Sequence, residues 1–483
     1  MRTTAGPPVL PHLPIDRRAR APLHRQIYDG YRKAILAGLL RPGQRLPSTR
    51  ALAAELGVSR LPVLSAYEQL LHEGFFDGRR GSGTFVNADL ATQMRRSARI
   101  RRKLSLPTQE SCGEFGPRPF GVCGPALDQF PKAAWARIVA RHAHAMPTEL
   151  MGYGDPAGYV PLREQIAEYL RTARAVRCEA DQVLVVSSSQ AALRICAAAL
   201  VPAGSVVAME EPGYAGARVA LSVPGVEMAY VPIDRDGIDV AALAALPVAP
   251  RAVYVTPSHQ YPLGGSMTAA RRMALLAWAE ARGAWILEDD YDSEYRYVSR
   301  PLGALQGMDA HERVVYIGTF SKVLFPALRV GYLVVPPRCR DAFLRSREAH
   351  DIFSPTLYQL ALTDFLREGR FARHLRRMRD VYLGRRDALL RALETHCRGL
   401  LTVHNADAGL HVTAWLPDGM SDLDVVRRME ARGLTATALS TRYGGPAPRS
   451  GLMLGFGGSD ERTLDRAART LGEVLRECAG LSR

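Results

Sequence analysis

The sequence predicts two folding units in series. The first is a small helical module closed by a two-stranded wing. The second is a large α/β domain with a mostly parallel sheet, ending in a smaller α+β subdomain. Three observations predict this. Apolar residues recur at helical spacing as far as residue 72 and then give way to a short Gly-rich hairpin. Beyond Phe120, short β-branched runs alternate with helical stretches, the pattern of a three-layer domain with crossover helices. The charge is also unevenly split: residues 1–120 hold 20 Lys+Arg against 9 Asp+Glu, and the remainder 43 against 39.

Composition narrows the function classes. A hydrophobic fraction of 47% and a charged fraction of 23% suit an ordinary globular protein of 483 residues with room for two or more domains. No run reaches the roughly eighteen apolar residues of a membrane helix, and the opening MRTTAGPPVLPHLPIDRRAR lacks the apolar core of a signal peptide. The seven Cys show no CxxC spacing, which argues for reduced thiols and against a zinc site or a disulfide framework. The expectation is a cytoplasmic protein. The net charge of +15, concentrated at the N-terminal end, predicts a polyanionic partner for that part alone.

Residues 1–20 are rich in Pro and Arg and read as a disordered arm. Residues 21–87 read as a folded module. Leu23, Ile27, Tyr31, Ile35 and Leu39 mark a first helix that stops at Arg41-Pro42-Gly43. Ser48 caps a second helix carrying Leu52 and Leu56, which ends at Gly57-Val58. Ser59 is placed to cap a third, with Val63, Ala66, Tyr67 and Leu70 on its inner face. Phe75-Phe76 and Thr84-Phe85-Val86 then flank a basic, Gly-rich tip, Arg79-Arg80-Gly81-Ser82-Gly83, which can approach a phosphate backbone. Helix, Gly turn, helix and hairpin is the order of a winged helix-turn-helix.

The text LPSTRALAAELGVSR, YEQLLHEGFF and GRRGSGTFV resembles the DNA-binding module of the GntR superfamily. That resemblance implies a double-stranded DNA partner. Ser48, Arg50, Ser59 and Arg60 would meet phosphates or the major groove, and Arg79, Arg80 and Gly83 the minor groove or backbone. The sequence departs from the pattern at Leu61-Pro62, where relatives carry small polar residues, so which bases are read does not follow from the resemblance. Residues 88–118, with MRRSARIRRK, read as a basic flexible linker.

The segment 119–483 forms the second unit, with its small subdomain from about residue 340. The strands expected in it are Val183–Val186, Val206–Met209, Ala252–Thr256, Trp285–Leu287, Val314–Ile317 and Leu333–Val335. One loop stands out. After Val314–Ile317 and Gly318 come Thr319, Ser321 and Lys322, at the strand end where open α/β sheets bind ligands. The chain holds only four Lys (Lys33, Lys103, Lys132 and Lys322) and uses Arg almost everywhere else. Arg cannot form an imine, whereas a desolvated Lys amine can attack an aldehyde.

Other strand ends carry groups that suit one ligand. Glu288-Asp289-Asp290-Tyr291 follows an apolar strand and needs compensation if buried. Ser187-Ser188-Ser189-Gln190 opens a helix and offers hydroxyls and amides to an anion. Tyr214 offers an aromatic face, and Arg329 follows Lys322 by seven residues. A planar, anionic aldehyde would use all of these, and pyridoxal phosphate fits that description.

The motifs YGDPAGYVPLRE, EPGYAGAR, VTPSHQYPLG, WILEDDYDSEYRY and GTFSKVLFPALRVGY resemble a fold-type I aminotransferase domain. With the N-terminal module they resemble the MocR/GabR-type regulators, and the two likenesses cover nearly the whole chain. The resemblance implies that Lys322 forms the imine with pyridoxal phosphate, Asp289 pairs with the ring nitrogen, Tyr291 with the ring hydroxyl, and Tyr214 stacks. Ser189, Gln190, Thr319, Ser321 and Arg329 would hold phosphate. Tyr153 would reach the phosphate of the neighbouring subunit in a domain-swapped homodimer. Arg442 would bind the carboxylate of an amine or amino acid effector.

Departures bear on enzyme activity. Tyr261 stands where aminotransferases carry an Asn, Met453 where they clamp the substrate carboxylate with an Arg, and Ser188 where relatives often have Gly. The expectation is a DNA-binding regulator that senses pyridoxal phosphate or an amino compound. The alternative is a working aminotransferase with an accessory DNA-binding module.

Overall fold

The computed structural model describes residues 13, 15–79, 82–88, 118–122, 124–223, 225–298 and 302–480. Two compact units divide the chain between Glu110 and Ser111. Residues 89–117 of the expected linker lie outside the described residues, as do Arg80 and Gly81 of the wing tip.

The first unit contains helices α1 (Leu23–Leu36), α2 (Thr49–Glu55) and α3 (Arg60–His72), and the antiparallel strands β1 (Phe76–Arg79) and β2 (Gly83–Val86). Its core is closed by an edge-to-face trio in which Tyr31, Tyr67 and Phe76 have ring centroids 5.1–5.7 Å apart. Both hydroxyls are satisfied within the core: they lie 3.3 Å from each other, and that of Tyr67 donates to the Pro47 carbonyl at 3.0 Å.

Three local details differ from the sequence reading. Part of the expected arm is ordered. Leu13 is buried against α1 at Gly30, where any side chain would collide with it, and the Asp16 amide donates to Gln26 Oε1 at 2.9 Å. Leu39 lies beyond the end of α1, past the left-handed Gly38, and is exposed. Ser48 accepts the Ala51 N–H at 3.2 Å, but Ser59, at the equivalent position of α3, makes no cap bond. The cause is Pro62: it occupies the third position of α3, whose N–H an N-cap hydroxyl would accept, and proline has none.

The second unit is built on an eight-stranded sheet. In chain order the strands are β3 (Val183–Val186), β4 (Val206–Glu211), β5 (Glu227–Asp234), β6 (Gly237–Ile238), β7 (Ala252–Val255), β8 (Trp285–Asp290), β9 (Val314–Thr319) and β10 (Gly331–Val334). Their spatial order is β3-β10-β9-β8-β7-β4-β5-β6. The pairs from β9 through β5 are parallel, whereas β10 runs antiparallel to both neighbours and β6 is antiparallel to β5. The central strands are buried on both faces, which explains their unbroken apolar runs. β5 escaped the sequence reading because it lies near the sheet edge, is only partly buried and contains Pro232.

After residue 340, helices Arg340–Asp351, Thr356–Arg367 and Arg370–Cys397 lead to an antiparallel sheet. It consists of β11 (Thr402–Asn405), β12 (His411–Trp415), β13 (Thr437–Ala438) and β14 (Gly451–Gly455), in the order β11-β12-β14-β13, covered by helix Glu461–Cys478. No described helix is long and apolar enough to cross a membrane. Among the described residues, no His/Cys/Asp/Glu cluster could hold a metal.

Candidate functional site

The site is assembled at the carboxyl ends of parallel strands. β8 delivers Glu288, Asp289 and Asp290, all buried, followed by Tyr291. Burying three successive carboxyls demands three separate solutions. Glu288 accepts the backbone N–H groups of Leu305 and Gln306, both at 2.8 Å. Asp290 pairs with Arg174 at 2.7 Å and accepts the Tyr316 hydroxyl at 2.5 Å. Arg174 also donates to Ser258 Oγ at 2.8 Å and to the Leu302 carbonyl.

Asp289 is only half satisfied. Its Oδ2 accepts the Tyr254 hydroxyl at 2.8 Å, while its Oδ1 is buried without a hydrogen-bond partner among the described residues. Burial pushes its carboxyl up to about 7, against the Tyr254 hydroxyl and the charge of Lys322, which pull it down. A buried oxygen that lacks a donor is what a protonated ring nitrogen would complete.

Lys322 lies on the half-buried loop after β9, near enough for its charge to act on Asp289 and on His411. Thr319 ends β9, and its Oγ1 accepts the Ser321 N–H at 3.1 Å, which ties the loop into a turn. Gly318 lets this loop pass over the Tyr332 ring, where any Cβ would collide.

Two other strand ends converge on the same edge. After β3, Ser188 caps helix Ser189–Leu200 by accepting the Ala191 N–H at 3.1 Å. Ser188 thus closes the turn between β3 and this helix. Ser189 and Gln190 begin that helix, where free N–H groups and the helix dipole favour an anion. After β4, Tyr214 accepts a hydrogen bond from Gln190 Nε2 at 3.2 Å, and Gly216 leaves space that any side chain would need to share with both groups.

The rings of His259 and His411 lie 5.7 Å apart, beside Tyr291 and Tyr261. His259 Nδ1 lies 2.8 Å from Asp292 Oδ1 and 3.0 Å from the Tyr291 hydroxyl. It thereby orients the tyrosine expected at the ring hydroxyl. His411 Nε2 donates to the Pro262 carbonyl at 3.1 Å, and burial together with His259 lowers His411 to about 4, keeping it neutral. The missed partners Tyr254, Arg174 and Asp292 had one available signal: polar groups in strands or helices otherwise read as buried need partners.

Tyr261 and Met453 meet in one apolar cluster. Both are buried there with Leu439, against Tyr214, Tyr291 and Tyr443. Arg442 is buried at the end of the short turn Leu439–Arg442, and its carbonyl accepts the Gly213 N–H and Arg218 Nη2, both at 3.1 Å. The loop that carries Tyr214 is therefore fastened to the small subdomain through Arg442. Arg329 is exposed with left-handed backbone, and Tyr153 is 85% exposed, so neither is drawn into this cluster.

In the first unit, Arg50, Ser59, Arg60 and Gly83 are exposed. Arg60 Nε donates to Thr49 Oγ1 at 3.1 Å, which ties the start of α3 to α2. Arg79 lies over the Phe85 ring at 4.8 Å, and Gly83 has a φ of +108° that suits glycine. Arg80 lies outside the described residues.

The family model for bacterial regulatory proteins of the gntR family matches residues 23–86, and that for aminotransferase class I and II matches residues 124–430. The chain is 40% identical to the probable rhizopine catabolism regulatory protein MocR of Rhizobium meliloti, over 95% of each protein. It is 36% identical to the HTH-type pyridoxine biosynthesis transcriptional regulator PdxR of Corynebacterium glutamicum, over 94% of this chain and 97% of that one. Among solved structures it resembles LysN, an α-aminoadipate aminotransferase from Thermus thermophilus complexed with N-(5'-phosphopyridoxyl)-L-leucine. The TM-score is 0.70 at 29% identity, covering 75% of this chain and 93% of that one. The chain therefore belongs to the gntR-family regulators that carry a class I and II aminotransferase domain, and it is a DNA-binding transcriptional regulator whose cofactor is pyridoxal phosphate.

Proposed function

We propose that this regulator senses an amino compound, or pyridoxal phosphate itself, through covalent capture at Lys322. The observation that carries the reading is the buried, unpartnered Oδ1 of Asp289 at the end of β8, within the electrostatic reach of a rare lysine. Bound there, pyridoxal phosphate supplies an aldehyde that condenses with primary amines with loss of water. The protein's own groups do the rest. Asp289 holds a proton at the ring nitrogen, and Tyr291, oriented by His259, faces the ring hydroxyl. Tyr214 covers the ring, while Ser189, Gln190, Thr319, Ser321 and Arg329 hold the phosphate.

Arg442 is the proposed carboxylate group for the effector. Because its backbone also fastens the Tyr214 loop, an effector held there would bias how the small subdomain closes on the large one. Two subunits would pair as a domain-swapped homodimer, with the exposed Tyr153 completing the partner's phosphate site, and the two winged modules would read two half-sites. The protein would work in the cytoplasm. Met453, packed among aromatic and aliphatic side chains, supports sensing over sustained transamination, because it cannot orient a carboxylate.

Borohydride treatment of the cofactor-loaded protein, followed by peptide mass analysis, tests the attachment. A phosphopyridoxyl adduct on Lys322 is expected. A protein that remains colourless in excess cofactor, or an adduct only on other lysines, would defeat the proposal.

A further inference from the structure

Leu61 and Pro62 stand in the first turn of α3. Leu61 is 70% exposed at the N-terminal turn of α3, the recognition helix of the helix-turn-helix. A large aliphatic side chain held in water at such a place is informative only beside the features around it. The preceding Arg60 is turned back onto Thr49, so it flanks the helix start instead of leading it. The inner face, Val63, Ala66, Tyr67 and Leu70, already fills the core, so Leu61 has no packing role inside the module. Ser65, one turn on, is also exposed and Leu64 is half-buried, so Leu61 is the most exposed large apolar group of the first two turns.

Recognition helices enter the major groove with their N-terminal residues against the base edges. There, the apolar feature a base pair presents is the C5-methyl group of thymine. We propose that Leu61 is a specificity-determining residue that reads a thymine methyl in each half-site. Pro62 serves the same end. By lacking an N–H it leaves the Ser59 hydroxyl uncommitted to the helix, so that hydroxyl is open to a phosphate beside the base that Leu61 contacts. Burying one methyl group is worth about 0.8 kcal/mol, or roughly a fourfold change in affinity per half-site.

The assignment rests on the DNA-binding function of this module, and its test keeps the two separable. The full-length protein first selects duplexes from a random library. Each thymine of the selected site is then replaced, one at a time, by deoxyuridine, which keeps Watson–Crick pairing and loses only the methyl. One replacement per half-site should weaken binding about fourfold. In Leu61→Ala that same replacement should be silent, while the salt dependence, set by phosphate contacts, stays unchanged. Because Leu61 is exposed, the variant's unfolding midpoint should match that of the parent. The proposal is overturned if every deoxyuridine is silent in the parent, or if Leu61→Ala keeps the parent's sensitivity. Failure to select any duplex would instead overturn the DNA-binding reading, and this assignment with it.

Discussion

Replacing Asp289 with Asn should move stability and cofactor affinity in opposite directions. The substitution keeps the size of the side chain and an oxygen for the Tyr254 hydroxyl, and it removes the charge. In the cofactor-free protein the Asp289 carboxyl is raised from its ordinary 3.8 to about 7. Because the folded value lies above the unfolded one, the group costs nothing below about pH 3.8. Its cost grows as pH rises and is complete above about pH 7. At 1.36 kcal/mol per pH unit, that difference sets an upper limit of about 4 kcal/mol. At pH 8, then, the cofactor-free Asn variant should resist denaturant better than the parent by up to that amount, and the advantage should vanish near pH 4. Cofactor affinity should move the other way. Losing a charged hydrogen bond to the ring nitrogen costs about 1.5–3 kcal/mol, which weakens cofactor binding roughly 10- to 150-fold. Denaturant titrations at the two pH values and a cofactor titration followed by absorbance provide both readings. A cofactor-free variant no more stable than the parent at pH 8, or an unchanged cofactor affinity, would refute the reasoning.

Four further substitutions probe three separate links. Lys322→Ala should abolish the response of DNA binding to amino compounds while leaving salt-dependent duplex binding intact, as read by anisotropy with and without amines. Arg174→Met should destabilise the aminotransferase-like unit by about 3–5 kcal/mol, because it strands Asp290 in a site where both side chains are at most 3% exposed. Adding Asp290→Asn should recover a large part of that loss in denaturant unfolding. Gly409→Ala should lower both stability and cofactor affinity, since Gly409 has a φ of +76° and an added Cβ would overlap the His259 ring. Wild-type behaviour of that variant would show that His259 does not need its observed position.

The sequence was most legible where local rules act alone. Val183–Val186 was bounded to the residue, and five other strands in substance, because strands buried on both faces leave continuous apolar runs. The inner face of α3 was fixed by its period. Lys322, Asp289 and Tyr214 could be singled out because each follows such a strand. The partly buried strand β5, the unmade cap at Ser59 and the packing of Leu13 on α1 were not legible: a place next to the sheet edge, a proline three positions on and a glycine in that helix decide them.

By itself the sequence determined the two-part architecture, the family motifs and the chemical types available, since these follow from periodicity, spacing and composition. Only the tertiary structure decided how three consecutive buried carboxyls are compensated. Arg174 answers Asp290 from 116 residues away, backbone amides answer Glu288, and Asp289 Oδ1 is left without a donor. It also decided that Tyr261 and Met453 share a single apolar wall and that Leu61 faces water. The physical reason is that desolvation depends on everything packed around a group, and most of those neighbours are distant along the chain.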